Sequence, residues 1–196
     1  QFEILRPDTV LRQVLGYDCF SSSRYGVPSE EGEIVEVAGV IDQPNKLVVV
    51  SNKFTEEVQR FTTAHELGHA ILHDQPILHR DIPVDFFGQR KTRDVVEIEA
   101  DKFATYFLMP KKMILKEFES IYSSTLFEKN ESTAFQFGGR SVRDLERECK
   151  NLRELSRKLA STASYNNSHF TSLAKRFGVS IEAMAIRLEE LGLVRY

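Results

Sequence analysis

The spacing of apolar and polar positions changes rhythm several times along the chain, and each change marks an element. Between residues 2 and 15, Val10, Leu11, Val14 and Leu15 recur at helical spacing and the run stops at Gly16, which predicts a short helix. Residues 21–32 are rich in turn formers, including Gly26, Pro28 and Gly32. They give way to residues 33–41, where Ile34, Val35, Val37, Val40 and Ile41 favour extended chain. Asp42-Gln43-Pro44-Asn45 then turns the chain into residues 46–51, so two neighbouring strands joined as a hairpin are predicted.

Thr55 stands where a helix cap belongs, and Glu56 and Glu57 suit the positive end of the helix dipole that follows. That helix is predicted to run to about His73. Residues 74–94 contain Pro76, Pro83 and Gly88 without a sustained period and read as a long irregular connection. A second helix follows over 95–108, stopping before Pro110, and a third over 111–122. Residues 123–139 are polar, and 141–159 alternate charges in the manner of a solvated helix laced with ion pairs. Residues 161–168 read as a linker, and 170–196 return to helical patterning. The fold class is α+β. A core over 1–122 is predicted, then a polar and charged helical insertion with its linker over 123–168, then a C-terminal element over 169–196 that packs on the core. Within that element, Leu173 to Ser180 followed by Ala183 and Ile186 has the glycine-turn pattern of a helix-turn-helix.

Composition narrows the function classes. Lysine and arginine total 26 against 29 aspartates and glutamates in 196 residues, a net charge of −3, so no domain-wide cationic field exists to hold nucleic acid. The C-terminal element is balanced too, with Lys175, Arg176, Arg187 and Arg195 set against Glu182, Glu189 and Glu190, which argues against direct DNA binding. The longest aliphatic run, Leu47-Val48-Val49-Val50, falls far short of the ~20 residues of a membrane span. The opening residues carry no secretion signal. Cys19 and Cys149 are too few for a disulfide framework and fit a reducing cytosol, so a soluble cytoplasmic protein with no membrane partner is expected.

The chemistry lies in His65-Glu66-Leu67-Gly68-His69. On a helix His65 and His69 share a face one turn apart, ~5 to 6 Å between Cβ atoms, which lets two imidazoles reach one Zn²⁺ at ~2.0 to 2.1 Å. Glu66 sits beside the first ligand, placed to take a proton from a water on the metal. Chance produces such a pattern in about one chain of this kind in a hundred. A catalytic zinc needs a third protein ligand. A histidine ten residues after the first is absent, since that position is Gln75. His73 lies ~12 Å of axial rise from His65, too far to join both from a straight helix, and reads better as a hydrogen bonder at the helix end. His79 sits on the irregular segment. In the second helix Glu97 and Asp101 share a face while Glu99 turns about 200° from Glu97. Glu97 is therefore assigned to the metal, and Asp101 to the free ring N–H of His65 or His69. Glu99 is read as a solvated acid.

Three blocks, Arg60 to His73 (RFTTAHELGHAILH), Glu97 to Pro110 (EIEADKFATYFLMP) and Leu173 to Val194, together resemble the ImmA/IrrE family of metallopeptidases. The resemblance implies a zincin-like core: a small sheet packed on helices, with a gluzincin ligand set of His65, His69 and Glu97 and with Glu66 as base. It implies zinc as cofactor, with another divalent ion such as Mn²⁺ as the alternative. It also implies an intracellular peptidase that cleaves a helix-turn-helix transcriptional repressor. Many members have Asn where this chain has Asp101, and Asp accepts from imidazole at least as well. Tyr25, Tyr106, His73 and His79 are candidates to stabilise an oxyanion. The hairpin at 34–51 is expected to offer an edge strand to an extended substrate. The competing class is a regulatory module that sequesters a repressor or contacts DNA without cutting.

Overall fold

The computed structural model describes residues 5–23, 26–28, 34–74, 79–81 and 94–196. Two compact units divide the described chain between Leu108 and Met109.

The N-terminal unit opens with a single helical turn, α1 (Pro7–Thr9), that widens into a π turn over Val10–Val14. The strands are β1 (Asp18–Ser22), β2 (Gly26–Pro28), β3 (Ile34–Glu36), β4 (Gly39–Asp42), β5 (Leu47–Ser51) and, after helix α2 (Glu56–Leu72), β6 (His79–Asp81). Helix α3 (Val95–Leu108) closes the unit. The main sheet has the order β1-β5-β4-β6. Strand β1 runs parallel to β5, with Asp18 opposite Leu47; β4 is antiparallel to β5, with Gly39 opposite Val50. Strands β2 and β3 form a separate antiparallel ribbon.

The expected hairpin is β4–β5, but the single strand predicted over 33–41 is split: Ile34–Glu36 form β3 and pair with β2, and only Gly39–Asp42 join the hairpin. Its turn is closed by the Asp42 carboxylate, which accepts the Asn45 backbone N–H at 3.1 Å and the Asn45 side-chain amide at 2.9 Å. Two expectations are corrected on the outer side of β4. Residues 79–81 are extended rather than irregular, and they pair antiparallel with β4, Gly39 opposite Asp81 and Ile41 opposite His79. The hairpin therefore lies inside the sheet, and among the described residues β6 rather than β4 is the outer strand on that side.

Helix α2 begins where expected, but Thr55 makes no side-chain cap. Glu57 serves instead: its carboxylate bonds its own backbone N–H and the Thr55 side chain, which holds its pKa below the ordinary glutamate value. The first turns of α2 are exposed, whereas every residue from Ala64 to His69 is buried. The helix is thus enclosed on all sides over that stretch, which is unusual for a run containing two histidines and a glutamate. Leu67 points into a core with Leu11, Tyr17, Ile41, Val48 and Val50. On another face Gly68 touches α3, where a Cβ would stand 3.2 Å from the Ala100 Cα and 3.2 Å from Phe103.

The C-terminal unit comprises α4 (Lys111–Tyr122), β7 (Phe127–Glu128), α5 (Glu131–Phe135), α6 (Val142–Glu148), α7 (Leu152–Ser161), β8 (Ser164–Tyr165), β9 (Ser168–His169), α8 (Leu173–Phe177), α9 (Ile181–Glu190) and β10 (Val194–Arg195). The charged run is two helices, not one: it breaks at Cys149, and Asn151 caps α7 by accepting the Glu154 N–H. Helix α7 also has an inner face, with Leu155, Ser156, Leu159 and Ala160 buried. The residues read as a linker make a tight hairpin, β8–β9, because Asn166 and Asn167 both adopt the left-handed conformation (φ 49° and 59°) that such a two-residue turn requires. Tyr165 of that hairpin is buried beside Tyr122, Phe127 and Phe137.

Leu67 is fully buried between helix and sheet. Leu67→Ala is expected to destabilise the N-terminal unit by about 2–5 kcal/mol through lost burial and the cavity left behind. Denaturant unfolding followed by circular dichroism measures this, and a loss within ~0.5 kcal/mol, the range of an indifferent surface substitution, would contradict the packing described.

Candidate metal centre

Helical geometry puts His65 and His69 on one face of α2, and both rings are buried, 1% and 0% exposed. Their Nε2 atoms converge to 2.9 Å. Close approach of α3 at Gly68 brings in Glu97, whose Oε2 lies 3.3 Å from His65 Nε2 and whose Oε1 lies 3.5 Å from His69 Nε2. One ligand atom from each of the three residues falls within 4.8 Å of the others, and this is the one cluster of metal-ligating side chains among the described residues. Two imidazoles and a carboxylate form a donor set suited to a divalent cation, and three protein ligands leave a position for water or substrate.

Asp101, one turn beyond Glu97, places Oδ1 3.0 Å from His65 Nδ1. A carboxylate there fixes the proton on Nδ1 and turns the Nε2 lone pair toward Glu97. Of the two histidines left open by the sequence, Asp101 thus serves His65. His69 Nδ1 instead meets His73 Nδ1 at 3.0 Å, and His73 Nε2 lies 3.1 Å from Glu99 Oε2. Glu99, expected to be a solvated acid, is half exposed yet paired. His73 is turned toward the far nitrogen of His69 and stands outside the ligand cluster.

Glu66 is wholly buried. Its carboxylate lies against the backbone of β4 at Gly39, where a Cβ would fall 2.5 Å from Oε1 and would also strike the Thr62 methyl group. Gly39 is a position beside the candidate site that sequence reasoning passed over. The available signal was a glycine inside an otherwise β-branched strand, which marks close backbone approach. Gln43 was also missed. From the β4–β5 turn its side-chain amide donates to the carbonyls of both His69 (2.9 Å) and His73 (3.0 Å), tying the turn to the end of α2. No sequence pattern announces such a contact.

Among the candidates for oxyanion stabilisation, Tyr106 is removed. It follows Glu97 by nine residues, about half a turn round the helix at ~100° per residue, and it is 54% exposed. Tyr25 and the side chain of His79 lie outside what the structure describes. His73 is engaged by His69 and Glu99.

A sheet with a histidine-bearing helix and a carboxylate-bearing helix against it is the arrangement of a zincin-like metal centre. The model of the IrrE N-terminal-like domain, a peptidase family, matches residues 24–134, more than half of the chain, and the protein belongs to that family. Two curated relatives are each named a radiation response metalloprotease IrrE. The one from Deinococcus radiodurans is 32% identical over 97 residues, 48% of this chain and 29% of that protein. The one from Deinococcus deserti is 32% identical over 76 residues, 39% of this chain and 27% of that protein. The matched stretches therefore span less than a third of either relative.

Asp101→Ala is expected to weaken Zn²⁺ binding by about ten- to a hundred-fold, the usual cost of removing a partner that orients a ligand. Glu97→Ala is expected to cost more, because it removes a ligand. Competition with a chelating dye measures both, and equal, wild-type affinity in the two variants would contradict the ligand geometry.

Proposed function

We propose that this chain is a zinc-dependent metallopeptidase of the cytoplasm whose substrate is a helix-turn-helix transcriptional repressor. His65, His69 and Glu97 would hold the cation, and Glu66 is the general base. The observation that carries the proposal is the placing of a fully buried glutamate beside two converging imidazoles on one helix, with a third ligand supplied from the next. A divalent cation in that donor set supplies Lewis acidity to the scissile carbonyl and makes water more acidic.

The chain's own groups do the rest. The Glu66 carboxylate accepts a proton from the water that attacks the carbonyl carbon and returns it to the departing amine as the C–N bond breaks, so water and peptide become acid and amine. Contact with Gly39 on one side holds Glu66 in place, and burial keeps bulk water from competing. Asp101 keeps His65 in the tautomer whose Nε2 is free to donate. Since β6 lies along the outer side of β4, an extended substrate segment would either add to β6 or take its place beside β4.

Three features support the remaining parts of the proposal. No helix among the described residues is long and apolar enough to cross a membrane. Both thiols are free, and burial raises the pKa of each, which suits a reducing compartment. The arginines Arg176, Arg187 and Arg195 of the C-terminal element are committed within their own unit, while Lys175 is exposed. Arg176 pairs with Glu117, Arg195 with Glu128 at 2.5 Å, and the buried Arg187 bonds the Met109 carbonyl at 3.2 Å and Glu190 at 3.1 Å. Such pairing favours a partner that is protein over one that is DNA.

Glu66→Gln is expected to bind Zn²⁺ like the wild type and to lose at least about 10²-fold of its cleavage rate. The substrate to try is a helix-turn-helix repressor from the neighbouring reading frame, incubated with zinc-loaded protein and weighed by mass spectrometry. Two complementary fragments with the wild type and none with Glu66→Gln are expected. Equal cleavage by both would remove Glu66 as the base. Tight association with the repressor left intact by the wild type would favour antagonism by binding.

A further inference from the structure

The two ligand histidines are held by different means. His65 Nδ1 meets a carboxylate directly, whereas His69 Nδ1 faces a second ring nitrogen, His73 Nδ1, at 3.0 Å. We propose that His73 is the positioning residue of His69, fixing its tautomer and ring angle and itself held by Glu99. The proposal rests on the metal-centre reading above.

The proton count leads to this arrangement. The His69 and His73 Nδ1 atoms, 3.0 Å apart and outside the ligand cluster, have no cation to share and so need one proton between them, since two bare nitrogens oppose their lone pairs and two N–H groups oppose their hydrogens. His69 Nε2 faces His65 Nε2 at 2.9 Å and Glu97 Oε1 at 3.5 Å, so it must be bare to donate to a cation. The single proton of the neutral ring then sits on Nδ1 and is donated to His73. His73 Nδ1 must in turn be bare, which puts its own proton on Nε2, and Glu99 Oε2 lies 3.1 Å from that atom as the acceptor. Each assignment forces the next, and the sequence ends on a carboxylate. His69 thereby receives through one imidazole what His65 receives directly from Asp101.

The backbone holds His73 for this task. It is the residue at which α2 ends, with φ −125° and ψ 139°, and its N–H donates to the His69 carbonyl at 3.2 Å. Gln43 ties down the carbonyls of both residues. The His73 side chain is only 9% exposed, while that of Glu99 is 54% exposed and reaches water.

The test measures Zn²⁺ affinity by dye competition and reads histidine protonation from ¹⁵N spectra of the zinc-loaded wild type. His73→Leu is expected to bind Zn²⁺ about ten- to a hundred-fold more weakly. His73→Gln should recover most of that loss, because its carbonyl can accept from His69 while its amide donates to Glu99. In the wild-type spectrum His69 Nδ1 should carry a proton and show coupling across the hydrogen bond to a bare His73 Nδ1. Wild-type affinity in His73→Leu, or no recovery in His73→Gln, would overturn the proposal. So would a proton on His73 Nδ1, a readout that needs no variant to fold. His65→Ala separates the two levels of the argument: undiminished Zn²⁺ binding there means the metal centre is misassigned, and the role of His73 falls with it.

Discussion

Close contact at two glycines governs the whole arrangement. Helix α2 is pressed between strand β4 and helix α3, and at each contact a side chain is absent where one would not fit: Gly39 under Glu66, and Gly68 against Ala100 and Phe103. The contact at Gly68 lets α3 come near enough for a carboxylate as short as Glu97 to meet both imidazoles. The one at Gly39 sets the depth at which the Glu66 carboxylate lies. Separation of either pair by the width of a methyl group would move Glu97 away from the imidazoles or Glu66 away from β4.

That enclosure has a thermodynamic cost, which function explains. Burying two imidazoles and a carboxylate on a helix is unfavourable unless each polar atom is matched. The neighbouring elements match the outer nitrogens of the rings and the carbonyls at the helix end. The outer nitrogen of each ligand ring has its own partner, Asp101 for His65 and His73 for His69, and the carbonyls at the end of α2 are taken up by Gln43. The apolar surroundings of Leu67, Ile41 and Val48 fix the helix that carries them. Stability and chemistry therefore meet in the same few turns: the core holds α2 in register, and α3 completes what α2 begins.

Much of this was legible in the sequence because it depends on periodicity. The pairing of His65 with His69, and of Glu97 with Asp101, follows from four-residue spacing on helices whose limits are set by Glu56 and Pro110. The β4–β5 hairpin followed from β-branched runs about a turn-forming segment. What escaped was tertiary. Pairing of β6 with β4 joins residues some forty positions apart, and the three-residue length of β6 carries no pattern. The inner face of α7 was hidden by its charges, of which Arg153 reaches across to Glu182 at 2.6 Å and Glu189 at 2.7 Å. The Asn166-Asn167 turn was read by polarity as a linker when its left-handed backbone makes a hairpin. Glu99 was assigned by helical angle alone, which says where a side chain starts and not what it can reach.

X-ray absorption at the zinc edge tests the central claim most directly. The protein loaded with one equivalent of Zn²⁺ should show a first shell of nitrogen and oxygen only, with the outer-shell scattering of two imidazoles and no sulfur. A shell containing sulfur, or one without the two-imidazole signature, would contradict a centre built from His65, His69 and Glu97.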